Sequence, residues 1–147
     1  MGSKKTDRYV VSLEEAYEPG SNDQVLKNFI GIKEKEVMEQ IEARELLRAE
    51  QEIFALYDAD HRFTAQDICD MHECWLGNVY PFAGKYRTVN MSKDGFPFAG
   101  APYIRNCMEK FEQSYLAKQT PCKTISLDEL AYALGVVHIE FIVIHPY

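Results

Sequence analysis

The sequence predicts an all-α domain, mainly helical, with one small β-hairpin. In four separate stretches apolar residues recur at intervals of three and four, which is the period of a helix. A fifth stretch, in the middle of the chain, instead carries strand-forming residues around an Asp-Gly turn signal. The last helical stretch is apolar on nearly every face, which is typical of a helix buried at the centre of a bundle.

Composition limits the chain to one globular domain. Its 147 residues are 46% hydrophobic and 12% aromatic, which supplies one core and is unlike a disordered chain. A net charge of -7 without a Lys/Arg cluster argues against a protein that binds nucleic acid through many phosphate contacts. No apolar run approaches the ~20 residues of a membrane span, and residues 1–8 lack the apolar core of a signal peptide. We expect a cytoplasmic protein, or a secreted effector without such a peptide, with no membrane or nucleic-acid partner.

The first half of the chain predicts a polar segment followed by two helices. The polar segment covers residues 9–32, with a turn at Pro19-Gly20 and a short helix over residues 23–29 closed by Gly31. Residues 33–57 are rich in helix formers, and the buried stripe is predicted at Leu46, Ala49, Ile53 and Leu56. A start signal formed by Thr64 and Asp67 predicts a second helix, with apolar positions at Ile68, Met71, Trp75 and Val79.

Residues 86–99 predict a β-hairpin. Strand-forming residues precede the turn signal Asp94-Gly95, and Phe96-Pro-Phe98 continues beyond it. A lone two-stranded hairpin is marginally stable unless something packs on it or pairs with its edge. We therefore interpret this isolated hairpin as a candidate functional flap with an open edge. The alternative that the pattern alone leaves open is a connecting loop whose aromatic side chains pack against the domain.

Two helices follow the hairpin. Pro102 opens the first, whose apolar positions are Ile104, Met108, Phe111 and Tyr115. A capping box at Ser126 and Glu129 opens the second, a central helix predicted over residues 126–145, which must stop because Pro146 disfavours helical geometry before it. His145 at its end has two interpretations: a cap for the last carbonyls, or a general base at the mouth of a pocket.

The sequence does not predict a metal site. Cys69, His72 and Cys74 lie close together, with His61 a possible fourth ligand, but their spacing is not that of a structural zinc site. All three fall within one predicted helix. His72 lies on an apolar face beside Trp75, so we interpret it as a core histidine with a hydrogen-bond partner.

Several stretches, in the same order along the chain, resemble the Fic (Fic/Doc) family. They are residues 26–32, His72 with residues 80–87, residues 91–98 and residues 138–147. The sequence Tyr-Pro-Phe-Ala-Gly-Lys-Tyr-Arg of residues 80–87 is similar to the family's Tyr-x-(Trp/Phe)-Ala-Gly-x-x-Arg element. His145-Pro-Tyr147 is similar to the start of its signature, His-x-Phe-x-(Asp/Glu)-Gly-Asn-Gly-(Lys/Arg)-x-x-Arg, with Tyr147 in place of Phe. The resemblance implies a Fic-type helical bundle over nearly the whole chain.

The resemblance also implies a protein adenylyltransferase, which transfers AMP from ATP to a hydroxyl side chain of a target protein. His145 matches the family's general base, which deprotonates that hydroxyl. The flap would cover the nucleotide, with tip contacts from Lys93 and Asp94. It would hold a target segment by strand pairing, through Asn90, Met91, Ser92, Gly95 and Phe96. The residues expected to support the flap and the base are Tyr86, Arg87 and His138.

The chain ends three residues into the family signature. By resemblance, the acidic residue that comes next would hold Mg²⁺, and Gly-Asn-Gly would bind phosphate at a helix start. We therefore expect the 147-residue polypeptide, truncated there and lacking its C-terminal helices, to be inactive and to expose an apolar patch around Phe141 and Ile144. The alternatives are a catalytically dead remnant or target-binding module, and a Doc-like variant that phosphorylates its target.

Regulation is the last expectation from the resemblance. The family's inhibitory motif, (Ser/Thr)-x-x-x-Glu-(Gly/Asn), does not occur in these 147 residues. Inhibition of that kind would need a separate antitoxin-like partner or further C-terminal sequence.

Overall fold

The computed structural model describes residues 10–11, 16–123 and 126–147. The predicted class is confirmed, since the chain is mainly helical with a small antiparallel hairpin. The elements in chain order are β1 (Val10–Val11), α1 (Lys35–Leu56), α2 (Ala65–Leu76), β2 (Met91–Lys93), β3 (Phe96–Pro97), α3 (Ile104–Phe111), α4 (Ala117–Gln119) and α5 (Leu127–Ile144). A 3-10 turn precedes α3, and a π-helical segment joins α3 to α4. Over the described residues, no helix is both long and apolar enough to span a bilayer.

The short helix predicted over residues 23–29 is wrong. Asn22 and Asp23 have positive φ angles of 55° and 59°, which a right-handed helix does not allow. The Ser21 hydroxyl binds the backbone of Val25 instead, donating to its carbonyl and accepting from its N–H. Local side-chain bonds of this kind compete with helix formation.

The rest of the polar segment is a series of turns. The predicted turn at Pro19-Gly20 is present, with Gly20 at φ 83°. An isolated antiparallel bridge joins Tyr17 to Leu26. Residues 9 and 12–15, the remainder of the predicted segment, lie outside the described residues.

Helix α1 forms where it was predicted but buries a different face. Ala49 is buried as expected, whereas Leu46 and Leu56 are 39% and 71% exposed. The side chains of α1 in the first core cluster come from its first half, at Met38 and Ile41. The predicted buried stripe is therefore wrong at its first and last residues, Leu46 and Leu56.

Helix α2 explains which face of α1 is buried. Its start is the predicted capping box, in which Thr64 and Asp67 each accept a hydrogen bond from the other's backbone N–H. Near its end, the Trp75 indole donates to the Glu42 carbonyl at 2.9 Å, and the Tyr80 hydroxyl donates to the Glu42 carboxylate at 2.6 Å. These two hydrogen bonds hold α1 against the end of α2 at Glu42. The C-terminal half of α1 is more exposed.

Two apolar clusters form the core. The first joins the polar segment, α1, the end of α2 and the residues after it, and consists of Val25, Met38, Leu76, Val79, Tyr80 and Ala83. The second joins α3, the π-helical segment and the end of α5, and consists of Ile104, Met108, Phe111, Leu116 and Ile144. Of the four predicted apolar positions, Ile104, Met108 and Phe111 are therefore correct, whereas Tyr115 lies in the π-helical segment and is only partly buried. This second cluster is what holds the end of α5 in place.

The hairpin has the predicted turn but is not isolated. Asp94 and Gly95 have φ angles of 50° and 80°, the pair of positive values that a type I′ turn requires. Within the hairpin, Ser92 lies opposite Pro97. On its other side Ser92 lies opposite Val10, because β1 pairs antiparallel with β2 and gives a three-stranded sheet of order β1-β2-β3. The expected open edge is therefore occupied, by a segment too distant in sequence for a local pattern to show.

Helix α5 is not buried on all sides, which corrects the prediction made from its apolar composition. The described apolar side chains that are at least 40% exposed on it are Leu127, Tyr132, Leu134, Ile139, Ile142 and Val143. The exposed apolar patch does not lie around Phe141 and Ile144, where the sequence predicted it. Ile144 is buried and Phe141 packs against the second cluster. One side of α5 packs on α3, and no described element covers the other.

The exposed side of α5 should bind a hydrophobic dye. Replacing Ile139 and Ile142 together by Lys should lower the fluorescence of bound anilinonaphthalene sulfonate, because these side chains are 61% and 42% exposed. The melting temperature should stay the same, since neither side chain lies in the core. The control Leu47→Lys, 64% exposed on α1, should keep most of the signal. Equal fluorescence from the wild type and the double variant would contradict the prediction.

Candidate active site

His145 directly follows α5 and has a left-handed backbone, with φ 46° and ψ 69°. Its N–H donates to the Phe141 carbonyl at 3.0 Å, so it closes the last turn. A non-glycine residue in this region carries roughly 1 kcal/mol of strain, which the surrounding contacts must offset. Pro146 follows and is buried, and its ring has no N–H to continue the helix. The imidazole is therefore fixed beyond the end of the helix.

Arg87 connects the end of α5 to both sides of the hairpin. Its Nε donates to the His145 carbonyl at 2.6 Å, and a terminal nitrogen donates to the Ile144 carbonyl at 3.1 Å. The terminal nitrogens also donate to the carbonyls of Val89 and Ala99, on either side of the hairpin. Arg87 is only 8% exposed. A single side chain thus positions the flap relative to the helix that carries His145.

The Arg87 interactions match what a helix C-terminus requires. The carbonyls of the last turn have no partners within the helix and form the negative end of its dipole. A guanidinium supplies both a positive charge and several donors in a rigid fork. The backbone N–H of Arg87 adds a bond to the Pro146 carbonyl at 2.8 Å. Burial lowers the pKa of Arg87, and the bonds to carbonyls offset this cost of desolvating the cation.

The environment of the His145 imidazole favours its neutral form. The Phe98 ring stacks on it, with centroids 4.4 Å apart and planes 19° from parallel. Burial is the largest cause that lowers the pKa of His145, and the positive charges of Arg87 and Lys93 lower it further. A neutral imidazole keeps a nitrogen lone pair that can accept a proton. The surroundings of His145 therefore favour the neutral imidazole at neutral pH.

Tyr147 is held against α2 by two contacts. Its ring stacks on His72 with centroids 4.1 Å apart, and its hydroxyl donates to the Cys69 sulfur at 3.1 Å. Burial is the main cause that raises the pKa of Tyr147, so the hydroxyl stays protonated. The hydroxyl that distinguishes Tyr147 from the family's Phe thus has a partner inside the protein.

His72 is held in turn by the loop after α2. The Gly84 N–H donates to its Nδ1 at 2.9 Å, which makes that nitrogen an acceptor. Gly84 has φ 72°, and a Cβ there would lie 2.8 Å from the Cβ of Glu73, so the close approach requires glycine. Burial, with a smaller contribution from His145, lowers the pKa of His72 to about 4. His72 is a neutral support for the ring of Tyr147.

The flap residues named from the sequence lie on or beside β2 and β3. Those at the exposed tip are Lys93, Asp94, Gly95 and Phe96. Met91 and Ser92 are half-buried within β2. The Asn90 side-chain oxygen accepts from the Ala101 N–H at 2.9 Å, which ties the base of the flap to the 3-10 turn.

Of the remaining residues named from the sequence, Tyr86 lies beside Tyr147 and His138 lies on α5. The Tyr86 ring is 6.0 Å from that of Tyr147, and burial raises the pKa of Tyr86 to about 12. His138 is exposed and lines an apolar groove between α2, α3 and α5, together with Ile68, Phe111, Leu134, Gly135, Val137 and Phe141. The sequence did not predict the contact between Phe98 and His145. The two residues are far apart in the chain, and no local sequence pattern indicates that they stack.

The described residues include no group of three or more His, Cys, Asp or Glu side chains that could hold a metal ion. Each candidate considered in the sequence has another partner. The Cys74 thiol donates to Glu52, and the Cys69 sulfur accepts from Tyr147. The His61 imidazole lies 2.9 Å from Asp67.

The chain is similar in sequence to proteins of one family. The sequence model of the Fic/DOC family matches residues 62–147, which include the flap and His145. A curated relative, "Protein adenylyltransferase VbhT" of Bartonella schoenbuchensis, is 27% identical over 140 residues. That match covers 87% of this chain but only 28% of the relative.

Solved structures show the same fold. The N-terminal Fic domain of a Bep effector from Bartonella sp. AR 15-3 superposes with a TM-score of 0.74 at 18% identity, over 92% of this chain and 66% of that one. BepC of Bartonella tribocorum, solved with bound AMPPNP, has a TM-score of 0.67 at 20% identity, over 83% of this chain and 64% of that one. A Bartonella quintana Fic domain with bound ADP has a TM-score of 0.66 at 24% identity, over 83% and 63%.

Arg87→Lys should destabilise the protein although it keeps the charge. A lysine cannot reach four carbonyls at once, so buried carbonyls lose their partners and the free energy of unfolding should fall by about 2–4 kcal/mol. Urea unfolding measures this change. Arg44→Lys is the matched control, since the Arg44 side chain is 73% exposed, and it should change stability by less than about 0.5 kcal/mol. Equal losses in the two variants would contradict the role assigned to Arg87.

Stability should depend on pH through His72. Its pKa is about 4 in the folded protein and 6.5 as the unperturbed value, so the unfolded chain binds its proton first as the pH falls. The contribution of His72 is therefore complete above pH 6.5 and is lost progressively towards pH 4. His72→Asn keeps an acceptor for the Gly84 N–H but cannot titrate, so its unfolding free energy should fall less over this window. Parallel pH profiles for the two proteins would rule out this contribution.

Proposed function

Since this chain belongs to the Fic/DOC family, we propose that its site transfers AMP from ATP to a hydroxyl side chain of a target protein, with His145 as the general base. The observation that carries the proposal is the neutral imidazole of His145, fixed beyond the end of α5 and stacked on Phe98 of the flap. The name of the Bartonella schoenbuchensis relative supports the reaction class. Because the chain spans about a quarter of that relative, the activity is our proposal for this site.

In the proposed reaction, His145 removes the proton from the target hydroxyl as its oxygen attacks the α-phosphorus. The bond from that phosphorus to the α,β-bridging oxygen breaks, and that oxygen leaves as part of pyrophosphate. The target then carries AMP through a new phosphate ester. Such a transfer depends mainly on positioning and charge neutralisation. Arg87 serves positioning, since it fixes the backbone of His145 relative to the flap.

The flap tip is the part of the chain proposed to meet ATP. Lys93 is an exposed cation whose charge already acts on His145, so it suits a phosphate oxygen near the base. Asp94, the first residue of the type I′ turn, is a carboxylate and fits the nucleoside hydroxyls better than the phosphates. Two of the solved relatives carry AMPPNP or ADP, which supports a nucleotide as the ligand.

Magnesium enters the family's chemistry through an acidic residue of the signature that follows the position of Tyr147. The described residues do not fit that ion, because they include no cluster of candidate ligands. We therefore assign no step to Mg²⁺ here. The 147 residues supply the base and the flap, and we propose that this polypeptide by itself transfers nothing, because it contains no Gly-Asn-Gly segment for the phosphates.

A chimera tests the proposal directly. Residues 1–147 would be joined to the residues that follow the matching region in the Bartonella schoenbuchensis relative, and incubated with an unfolded, hydroxyl-rich acceptor protein. We expect label from α-³²P-ATP on the acceptor, and a loss of about 100-fold or more in His145→Ala, the size typical of a missing general base. His61→Gln is the control: it keeps a polar group toward Asp67 and should retain activity.

The label also separates the alternatives. Transfer from γ-³²P-ATP instead of α-³²P-ATP would identify a Doc-like phosphorylation and reject AMP transfer. A chimera that binds ATP but transfers neither label would favour the target-binding module. Turnover by the 147-residue polypeptide itself, lost in His145→Ala, would overturn its proposed inactivity.

A further inference from the structure

The two long edges of the β2–β3 hairpin differ in their ability to accept another strand. In an antiparallel strand, successive residues direct their backbone groups to opposite edges. The Met91 carbonyl accepts from the Phe98 N–H at 3.1 Å, so Met91 faces β3. Ser92, the next residue, therefore directs its N–H and carbonyl away from β3.

The outer edge of β3 has no donor to offer. Phe98 faces β2, so by the same alternation Pro97 faces outward, and proline has no N–H. The next outward residue, Ala99, donates its N–H to the Val143 carbonyl of α5 at 3.2 Å. The Ser92 side of β2 is therefore the edge of this hairpin on which a further strand can pair.

β1 already occupies that edge. Val10 lies opposite Ser92 and Val11 lies opposite Met91, antiparallel to β2. Within the described part of the chain, β1 contributes two paired residues to this edge. Its connection to the body of the protein is short, because the chain is fixed again at Tyr17 by the bridge to Leu26. A short tether gives β1 a high effective concentration at the edge.

The occupied edge belongs to the sheet that lies beside the base. Phe98, next to β3, stacks on His145, and Lys93 of β2 acts on the same imidazole. A segment paired with β2 extends the sheet at this position. A target segment and β1 therefore compete for one row of backbone groups.

We propose that β1 is a built-in placeholder at the Ser92 edge of the flap, and that an extended target segment docks there only after Val10–Val11 has left. This inference rests on the proposed function in taking the docked segment to carry the acceptor hydroxyl. The partner is recognised through its backbone, as an extended stretch rich in β-branched residues like β1 itself. The placeholder makes docking depend on a local opening of the N-terminal strand.

The test uses a peptide that copies β1. A fluorescein-labelled synthetic peptide with the sequence of residues 6–14 would be titrated into the 147-residue chain and followed by fluorescence anisotropy. Val10→Pro removes the N–H that faces Ser92, and should raise the affinity for the peptide about tenfold by freeing the edge from its tethered competitor. Val10→Thr keeps the N–H and a β-branched side chain, and should bind like the wild type.

Two more variants make the outcome decisive. A chain that begins at residue 12 should behave like Val10→Pro, because it lacks β1 altogether, and thermal melting would check that both variants are folded. Ser92→Pro removes the outward N–H of β2 and should abolish binding. Equal affinities of the wild type and Val10→Pro, or undiminished binding by Ser92→Pro, would overturn the proposal.

Transfer by the chimera separates this inference from the proposed function. With the acceptor below saturation, Val10→Pro in the chimera should raise the rate of label transfer by a similar factor. The expected peptide affinities without any label transfer would support the placeholder and reject the transferase. Label transfer with unchanged peptide affinities would do the opposite.

Discussion

The fold of this site depends on one buried cation at the end of one helix. Arg87 donates to Ile144 and His145 at the C-terminus of α5, and to Val89 and Ala99 on either side of the hairpin. A buried carbonyl that lost such a hydrogen bond would be costly to the fold. The same residue that satisfies the helix end therefore fixes the distance between the base and the flap.

The geometry of the base follows from this constraint. His145 holds a left-handed conformation that is unfavourable by itself, and Arg87, Phe98 and the buried Pro146 together retain it. The same neighbours exclude water and place positive charge nearby, which keeps the imidazole neutral. The same contacts therefore determine both the position of the His145 imidazole and its protonation state. Tyr147 extends the arrangement to α2, through its ring on His72 and its hydroxyl on Cys69.

Helix α5 shows where apolar composition misleads. Its sequence is apolar nearly all round, yet only one side of it meets α3 and the second cluster, while Ile139 and Val143 face outward. A similar limit applies to α1, where the predicted stripe continued to Leu56 although the contacts with α2 bury Met38 and Ala49. Periodicity shows that a helix has an apolar face, but burial depends on which neighbour covers it.

The sequence by itself determined the class, the approximate boundaries of the long helices and the Asp94-Gly95 turn, because caps and turns act through neighbours along the chain. Only the tertiary structure decided what surrounds the base. The stacking of Phe98 on His145 joins residues 47 apart in number, and the Arg87 bonds to α5 join residues 57 and 58 apart. The pairing of β1 with β2 is likewise non-local, and it turned a hairpin expected to be open into one whose pairing edge is occupied. Backbone groups at a strand edge carry no sequence signature of their own, so their partner is known only when the chain is folded.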